Sequence, residues 1–225
     1  MVEGAKSVLE LQQSDFSLQH LFITEDFYRE HGSRFGKGIH YELVTEQDLV
    51  KAGTFSSNNA ALAVAHMRQL PSLQFSPDDF AIALDDIRDP GNLGTIIRIA
   101  DWYGISTIIC SDSCADFYNP KTISATMGSF TRVRAYYLDL ANWLAAQPEE
   151  VAIYGASLEG DNLHRMQLEP KGIVVMGNEA NGIRPDVARQ VNRLIKIPAF
   201  GKAESLNVAT ATAIIIDNFM RNTTQ

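Results

Sequence analysis

DPGNLGTIIRIADWYGI (residues 89–105) follows a short apolar strand, FAIAL (80–84), and turns into an amphipathic helix. The turn places one amide, Asn92, and one guanidinium, Arg98, within two turns of each other near the start of that helix. Two further segments repeat the theme of strand, glycine-containing turn and polar side chain: GIVVMGNEANGI (172–183) and LIKIPAFGKAESLNVATATAIII (194–216).

Working outward from residue 80, apolar strands alternate with helical stretches. The expected strands are FAIAL (80–84), TIIC (107–110), RVRAYYL (132–138), VAIYGAS (151–157), GIVVMG (172–177) and LIKIP (194–198). Helices are expected over 92–103, 119–128, 139–147, 184–192 and 204–221. This alternation implies an α/β fold, a mostly parallel sheet with helices on both faces. Ligands of such sheets bind outside the carboxyl ends of the strands, where all three segments fall. Ahead of them, residues 1–11 and 46–52 read as helices and 21–24, 40–45 and 61–67 as strands. RQLPSLQFSPDD (68–79) carries two prolines and reads as a connection between domains. The expected division is 1–70, a small α/β domain; 71–79, a linker; and 80–225, the larger domain.

The chain has 225 residues, 45% of them hydrophobic, enough for one domain of about 150 residues and a smaller one. No apolar run reaches the ~18 residues of a membrane span, and the charged N-terminus is not a signal peptide. No membrane association is therefore expected. Cys110 and Cys114, without a second pair or a histidine partner, read as reduced thiols of a cytoplasmic protein rather than metal ligands, so no metal is expected. A net charge of −8 argues against broad, non-specific binding of nucleic acid but leaves room for local patches at Arg132 and Arg134, and at Arg184, Arg189, Arg193 and Lys196.

Taken singly, the polar residues of the three segments have ordinary readings. Asn92 after Asp-Pro-Gly reads as a helix cap. Arg98 among isoleucines reads as a snorkelling surface cation. Glu179 reads as a carboxylate that caps the next element or pairs with a basic side chain, and Ser205 and Asn207 as the opening residues of the last helix. Gly177 and Gly182 bracket Glu179 and would let a ligand approach the backbone. A glycine pair without a third glycine is weak evidence for a dinucleotide site, and no phosphate-binding loop or nucleophile elbow is present.

Together, DPGNLGTIIRIAD, VVMGNEANGI and IPAFGKAESLNVATA resemble the three ordered motifs of the SpoU/TrmH branch of the SPOUT RNA 2′-O-methyltransferases. In that family the first motif has the form N-x-G-x-x-x-R, the second carries M-G-x-E-x-x-G and the third S-L-N-V. The resemblance covers roughly residues 80–221. VEGAKSVLEL, VTEQDLVKAGTF and ALAVAHM resemble the small RNA-binding domain that precedes the catalytic domain in many members. Members usually carry a basic stretch ahead of the VEG segment, and this sequence begins at that segment.

The resemblance implies a C-terminal trefoil knot holding S-adenosylmethionine, with backbone groups around Gly177, Ile197 and Leu206 as its contacts. It implies methyl transfer to a ribose 2′-hydroxyl of structured RNA, ribosomal RNA ahead of transfer RNA. Arg98 is the catalytic arginine of the resemblance. The family assigns it as the base, but guanidinium does not give up its proton in proteins, and a base elsewhere with Arg98 holding the adjacent phosphate and polarising the hydroxyl satisfies the same motif. Asn92 would orient Arg98 or the ribose. Glu179 would hold Arg98 and the second-motif loop, while Ser205 and Asn207 would fix the turn of the knot and line the site. A homodimer is expected, with the first motif's helix and the last helix in its interface. The alternative is an RNA-binding or assembly protein on the same fold without turnover.

Overall fold

The computed structural model describes residues 1–35 and 38–221. The N-terminal part runs β1 (Val2–Glu3), α1 (Ala5–Gln12), β2 (Leu18–Ile23), α2 (Glu25–His31), β3 (Glu42–Leu43), α3 (Glu46–Ala52) and β4 (Ala61–Ala65). Its four strands lie in the order β1-β4-β2-β3, with β2 and β3 parallel and the other pairs antiparallel.

Three details depart from the sequence reading. The first residues are a strand rather than part of a helix, because Gly4 at φ 86° turns the chain before α1. Buried Glu3 then accepts hydrogen bonds from the Thr54 amide (2.9 Å), the Thr54 hydroxyl (2.7 Å) and the Phe55 amide (3.3 Å). Helix α2 was not expected: Thr24 caps it, accepting from the Phe27 amide at 3.3 Å, yet Phe27 is its single buried residue, so no helical apolar period exists to read. The expected strand at 40–45 shrinks to two exposed residues at the edge of the sheet.

From residue 80 the elements are β5 (Phe80–Leu84), α4 (Pro90–Trp102), β6 (Thr107–Ser111), α5 (Pro120–Thr126), β7 (Arg134–Leu138), α6 (Leu140–Ala145), β8 (Ile153–Asn162), β9 (Gly172–Met176), α7 (Pro185–Ala188), β10 (Arg193–Lys196) and α8 (Val208–Met220). The six strands form a wholly parallel sheet, in the order β10-β8-β9-β5-β6-β7. Side chains alternate across a strand, and β5 shows why every one of its positions is apolar. Ile82 and Leu84 enter one core with Leu93, Ile96 and Ile97 of α4 and Ile215, Ile216 and Phe219 of α8. Ala81 and Ala83 enter the other with Leu140 and Leu144 of α6 and Val187 of α7. Burial on both faces leaves no position for a polar residue in the central strands.

Residues 66–79 contain no helix or strand, but they are pinned: Leu73 and Phe75 pack on the second core, and the Phe75 ring stands 5.7 Å from Trp143. The apolar cluster of the small sheet is continuous with the first core. Phe16 packs against Phe130 with ring centroids 5.7 Å apart and against Tyr118 at 6.5 Å. Arg68 lies 4.2 Å over the Phe16 ring, donates to the Thr131 carbonyl at 2.9 Å and pairs with Asp15.

Strand β10 lies outside β8, not beside β9 from which the chain arrives. The chain then returns through 197–207 to α8, which packs on α4. There Phe219 meets Phe80 at 5.1 Å and Tyr154 at 4.9 Å.

Candidate active site

The carboxyl ends of β5, β9 and β10 open into three adjacent loops. Pro90 occupies the first turn of α4, and Asp89, not Asn92, is the cap: its Oδ1 accepts from the Asn92 amide at 2.7 Å. Proline fixes the helix start two residues ahead of Asn92 and has no N–H to satisfy. The Asn92 side chain is thereby released from capping and turns to the other two loops.

The loop after β9 is tied down by buried groups. Asp85, fully buried at the end of β5, accepts from the Arg184 amide at 2.7 Å and from Arg184 Nε at 2.7 Å. Asn178 donates from Nδ2 to the Asp86 carbonyl at 2.9 Å and accepts at Oδ1 from the amides of Ala180 (2.9 Å) and Asn181 (3.2 Å). Asn178 and Gly182 exchange both backbone hydrogen bonds, at 3.0 and 2.9 Å. Gly182 adopts φ 68°, and a Cβ on Gly177 would collide with the Gly182–Ile183 backbone. The absent side chain of Gly177 thus makes room for its own loop. The result is a rigid tip that projects Glu179 toward α4.

Asn207 caps α8, its Oδ1 accepting from the amides of Ala209 (3.0 Å) and Thr210 (3.3 Å). The last helix therefore begins at Val208, four residues later than expected, and Ser205 stays in the exposed approach loop. Asn207 also donates from Nδ2 to Asn92 Oδ1 at 2.9 Å, while Asn92 Nδ2 donates to Glu179 Oε1 at 2.5 Å. One asparagine side chain thus joins all three motifs, through both ends of its amide.

Arg98 is exposed, with no hydrogen bond or ion pair among the described residues. It lies six residues beyond Asn92, roughly 9 Å along the helix axis and about 120° around it. Glu179 therefore pairs with Asn92, whereas the sequence reading had it hold Arg98. The structure brings Asn92, Glu179 and Asn207 together and leaves Arg98 and Ser205 outside that hydrogen-bonded set. Gly177 and Ile197 are half-buried behind their strands, and Leu206, 47% exposed, precedes Asn207.

Sequence reading passed over Asp89, Asp85 and Asn178. Asp before Pro at a strand-to-helix turn is the recognisable signal for the cap. Two carboxylates straight after a wholly apolar strand are the signal for Asp85. Asn178 gave none, because its role depends on the loop closing on itself.

Of the basic groups, Arg132 is committed to carboxylates: Nε donates to Asp101 at 2.9 and 3.0 Å, and NH1 bonds Glu10 at 2.6 Å. Those bonds hold its guanidinium even more firmly protonated than usual. It borders a cleft of about 380 Å³ with Arg68, Arg134, Glu10 and Asp15, where the carboxylates already balance two of the three arginines.

Comparison with known proteins shows the family. The sequence model of the SpoU rRNA methylase family matches residues 79–217, and the chain belongs to that family of RNA methyltransferases. It is 27% identical over 96% of its length, and over 86% of the relative's, to the 23S rRNA (guanosine(2553)-2′-O)-methyltransferase RlmP of Bacillus subtilis. A solved structure from Porphyromonas gingivalis, assigned to the TrmH family of RNA methyltransferases, is 32% identical and superposes with a TM-score of 0.85 over 98% of this chain and 89% of that one. An AdoMet-bound rRNA methyltransferase from Sinorhizobium meliloti is 27% identical, with a TM-score of 0.82 over 99% of this chain and 87% of that one.

Proposed function

We propose that this chain transfers a methyl group from S-adenosylmethionine to a ribose 2′-hydroxyl of structured RNA, ribosomal RNA ahead of transfer RNA. The observation that carries the reading is the Glu179–Asn92–Asn207 relay, which draws the three motifs to one point at the carboxyl edge of a parallel sheet.

The residues beside the relay suit the donor. Residues 198–206 make no backbone hydrogen bond among the described residues, so their amides and carbonyls are free to hold a ligand. Half-buried Ile197, exposed Leu206 and the 94% exposed Phe200 supply apolar surface for an adenine. Backbone groups around Gly177, Ile197 and Leu206 would hold the donor. When bound, it supplies an electrophilic methyl on a sulfonium.

The chain's own task is alignment, which is worth up to ~7–11 kcal/mol of a bimolecular barrier. Asn92 fixes the distance between the Glu179 loop and the Asn207 cap, so both loops move as one body. Arg98, unpaired among the described residues and always cationic, is free to hold the phosphate next to the target ribose and to polarise its hydroxyl. Ser205, exposed and unpaired among the described residues, offers a hydroxyl on the same approach loop.

The C-terminal segment is best read as a trefoil knot. Three features support this: β10 outside β8, the return of 197–207 to Asn92, and α8 seated on α4. Residues 1–70 serve as the RNA-binding domain, 71–79 as the linker and 80–225 as the methyltransferase domain. A homodimer is supported by the outward face of α4, where exposed Thr95, Arg98 and an 84% exposed Trp102 fall at helical spacing on one stripe. The cytoplasm is the proposed compartment, in keeping with the free thiols of Cys110 and Cys114. No described helix is long and apolar enough to cross a membrane.

Mapping ribose methylation across total RNA with and without the protein tests the reading. One 2′-O-methyl that disappears with the gene is the expected result. Unchanged maps, with S-adenosylmethionine still bound in calorimetry, would leave an RNA-binding protein without turnover.

A further inference from the structure

An aromatic group on the free edge of the small sheet has no part in the reaction site. Phe27, buried on α2, anchors it. Phe35 packs on Phe27 at 6.2 Å, on Tyr28 at 6.2 Å and on Tyr41 at 5.9 Å. Tyr28 and Tyr41 stack on each other at 5.1 Å with 30° between their planes. These two remain 39% and 37% exposed. The stack is built in rather than accidental: Gly32 lies so close to the Tyr28 ring that a Cβ there would stand 2.8 Å from it.

Two cations beside the rings in the sequence are not neutralised by a carboxylate among the described residues. The chain carries a net −8, and Glu30 and Glu42 flank the segment, yet the sequence between them, HGSRFGKGIHY (31–41), contains no carboxylate. Arg34 and His40 are exposed, with no ion-pair partner among the described residues. Arg29, by contrast, is committed to Glu25 and Asp26 at 3.0 Å each and is not available.

We infer that Tyr28 and Tyr41 form a stacking platform for an unpaired base of the RNA substrate, with Arg34 and His40 receiving the flanking phosphates. The inference rests on the reading of RNA as substrate and names where that RNA is gripped away from the reacting ribose. Unpaired bases stack on aromatic rings whatever their identity, and cations beside the ring hold the backbone. A base edge cannot be read by ring faces, so this platform selects for a bulged or looped base and not for its sequence. Two phosphate contacts are few enough to fit an acidic protein that binds RNA locally.

The test is filter binding of the full-length protein to protein-free large-subunit ribosomal RNA across a salt series, with S-adenosylmethionine affinity measured in parallel by calorimetry. The double variant Tyr28→Ala/Tyr41→Ala is expected to bind the RNA about ten-fold or more weakly, with donor affinity unchanged. Tyr28→Phe/Tyr41→Phe should restore binding, because stacking needs the ring and not the hydroxyl. Arg34→Gln should lower the salt slope by about one. Wild-type RNA affinity in the alanine pair overturns the platform, even if binding to some protein partner is lost. Equal loss in the phenylalanine pair overturns it too, because the contact would then be a hydroxyl hydrogen bond. A wild-type protein that binds the donor but no RNA removes the substrate reading itself.

Discussion

Asn207 donates to Asn92 across 115 residues of chain, at 2.9 Å, while its own carbonyl oxygen caps α8. One side chain thus sets both where the last helix starts and where the first motif stands. The two duties are separable by chemistry. Asn207→Asp keeps the capping oxygen and loses the donor to Asn92; Asn207→Ala loses both. The aspartate variant should hold its melting temperature while turnover falls. The alanine variant should lose turnover and about 1 kcal/mol of stability as well. Melting and initial-rate measurements on the two proteins distinguish these effects. Full turnover in the aspartate variant would reduce Asn207 to a cap.

Arg98 is exposed and makes no hydrogen bond or ion pair among the described residues. Arg98→Ala should therefore change stability by less than about 0.5 kcal/mol and reduce turnover by roughly 10²-fold or more. Calorimetry should show S-adenosylmethionine binding nearly unaltered. A parallel loss of donor affinity would place Arg98 in the donor pocket instead.

Arg184 covers the fully buried Asp85 with both its amide and its Nε. Arg184→Ala keeps the amide bond but leaves the carboxylate short of its counter-charge. Removing one partner of a buried pair costs about 3 kcal/mol, and the half-exposed arginine places this case at or below that figure. Chemical denaturation measures it. Turnover should fall too, because the Glu179 loop is anchored through this pair.

Trp102 exposes 84% of its surface on the stripe that carries Arg98. Trp102→Glu should convert a dimer of about 50 kDa, twice the 24.9 kDa chain, to monomer in light scattering. A wild-type protein that already scatters as a single chain at micromolar concentration ends the dimer reading.

Cys114 and Cys110 should differ sharply toward alkylating reagents. A hydrogen bond from Cys110, with further ones from Ser111 and the Ile87 amide, draws the Cys114 thiol down to about 7 against the resistance of burial. Cys110, donating to Cys114 and fully buried, is pushed well up. Thiolate stabilised by folding contributes stability above the ordinary thiol range, and that contribution is lost as pH falls through about 7. Labelling of Cys114 should rise through pH 7 and level off above it, with Cys110 silent, as followed by mass spectrometry. Equal labelling of both thiols would show that the loop beside Ile87 opens readily.

The sequence by itself determined the larger layer architecture, since FAIAL and GIVVM are apolar at every position and only a sheet covered on both faces accommodates such strands. It also located the three loops, because glycine and asparagine turns punctuate the strand ends. The small sheet was less legible: α2 buries one residue, β3 has two, and Gly4 ends β1 after two residues, too short for any period to appear. Tertiary structure alone decided how the loops divide their work. Asn92 reads as a cap until Pro90 fixes the helix start at Asp89, and Glu179 reads as a partner for Arg98 until Asn178 closes its loop on Gly182. With those local turns set, the meeting of Asn92 with Glu179 and Asn207 rests on hydrogen bonds between residues 87 and 115 positions apart. A local pattern specifies which groups can donate and accept, but only the packed chain sets which of them meet.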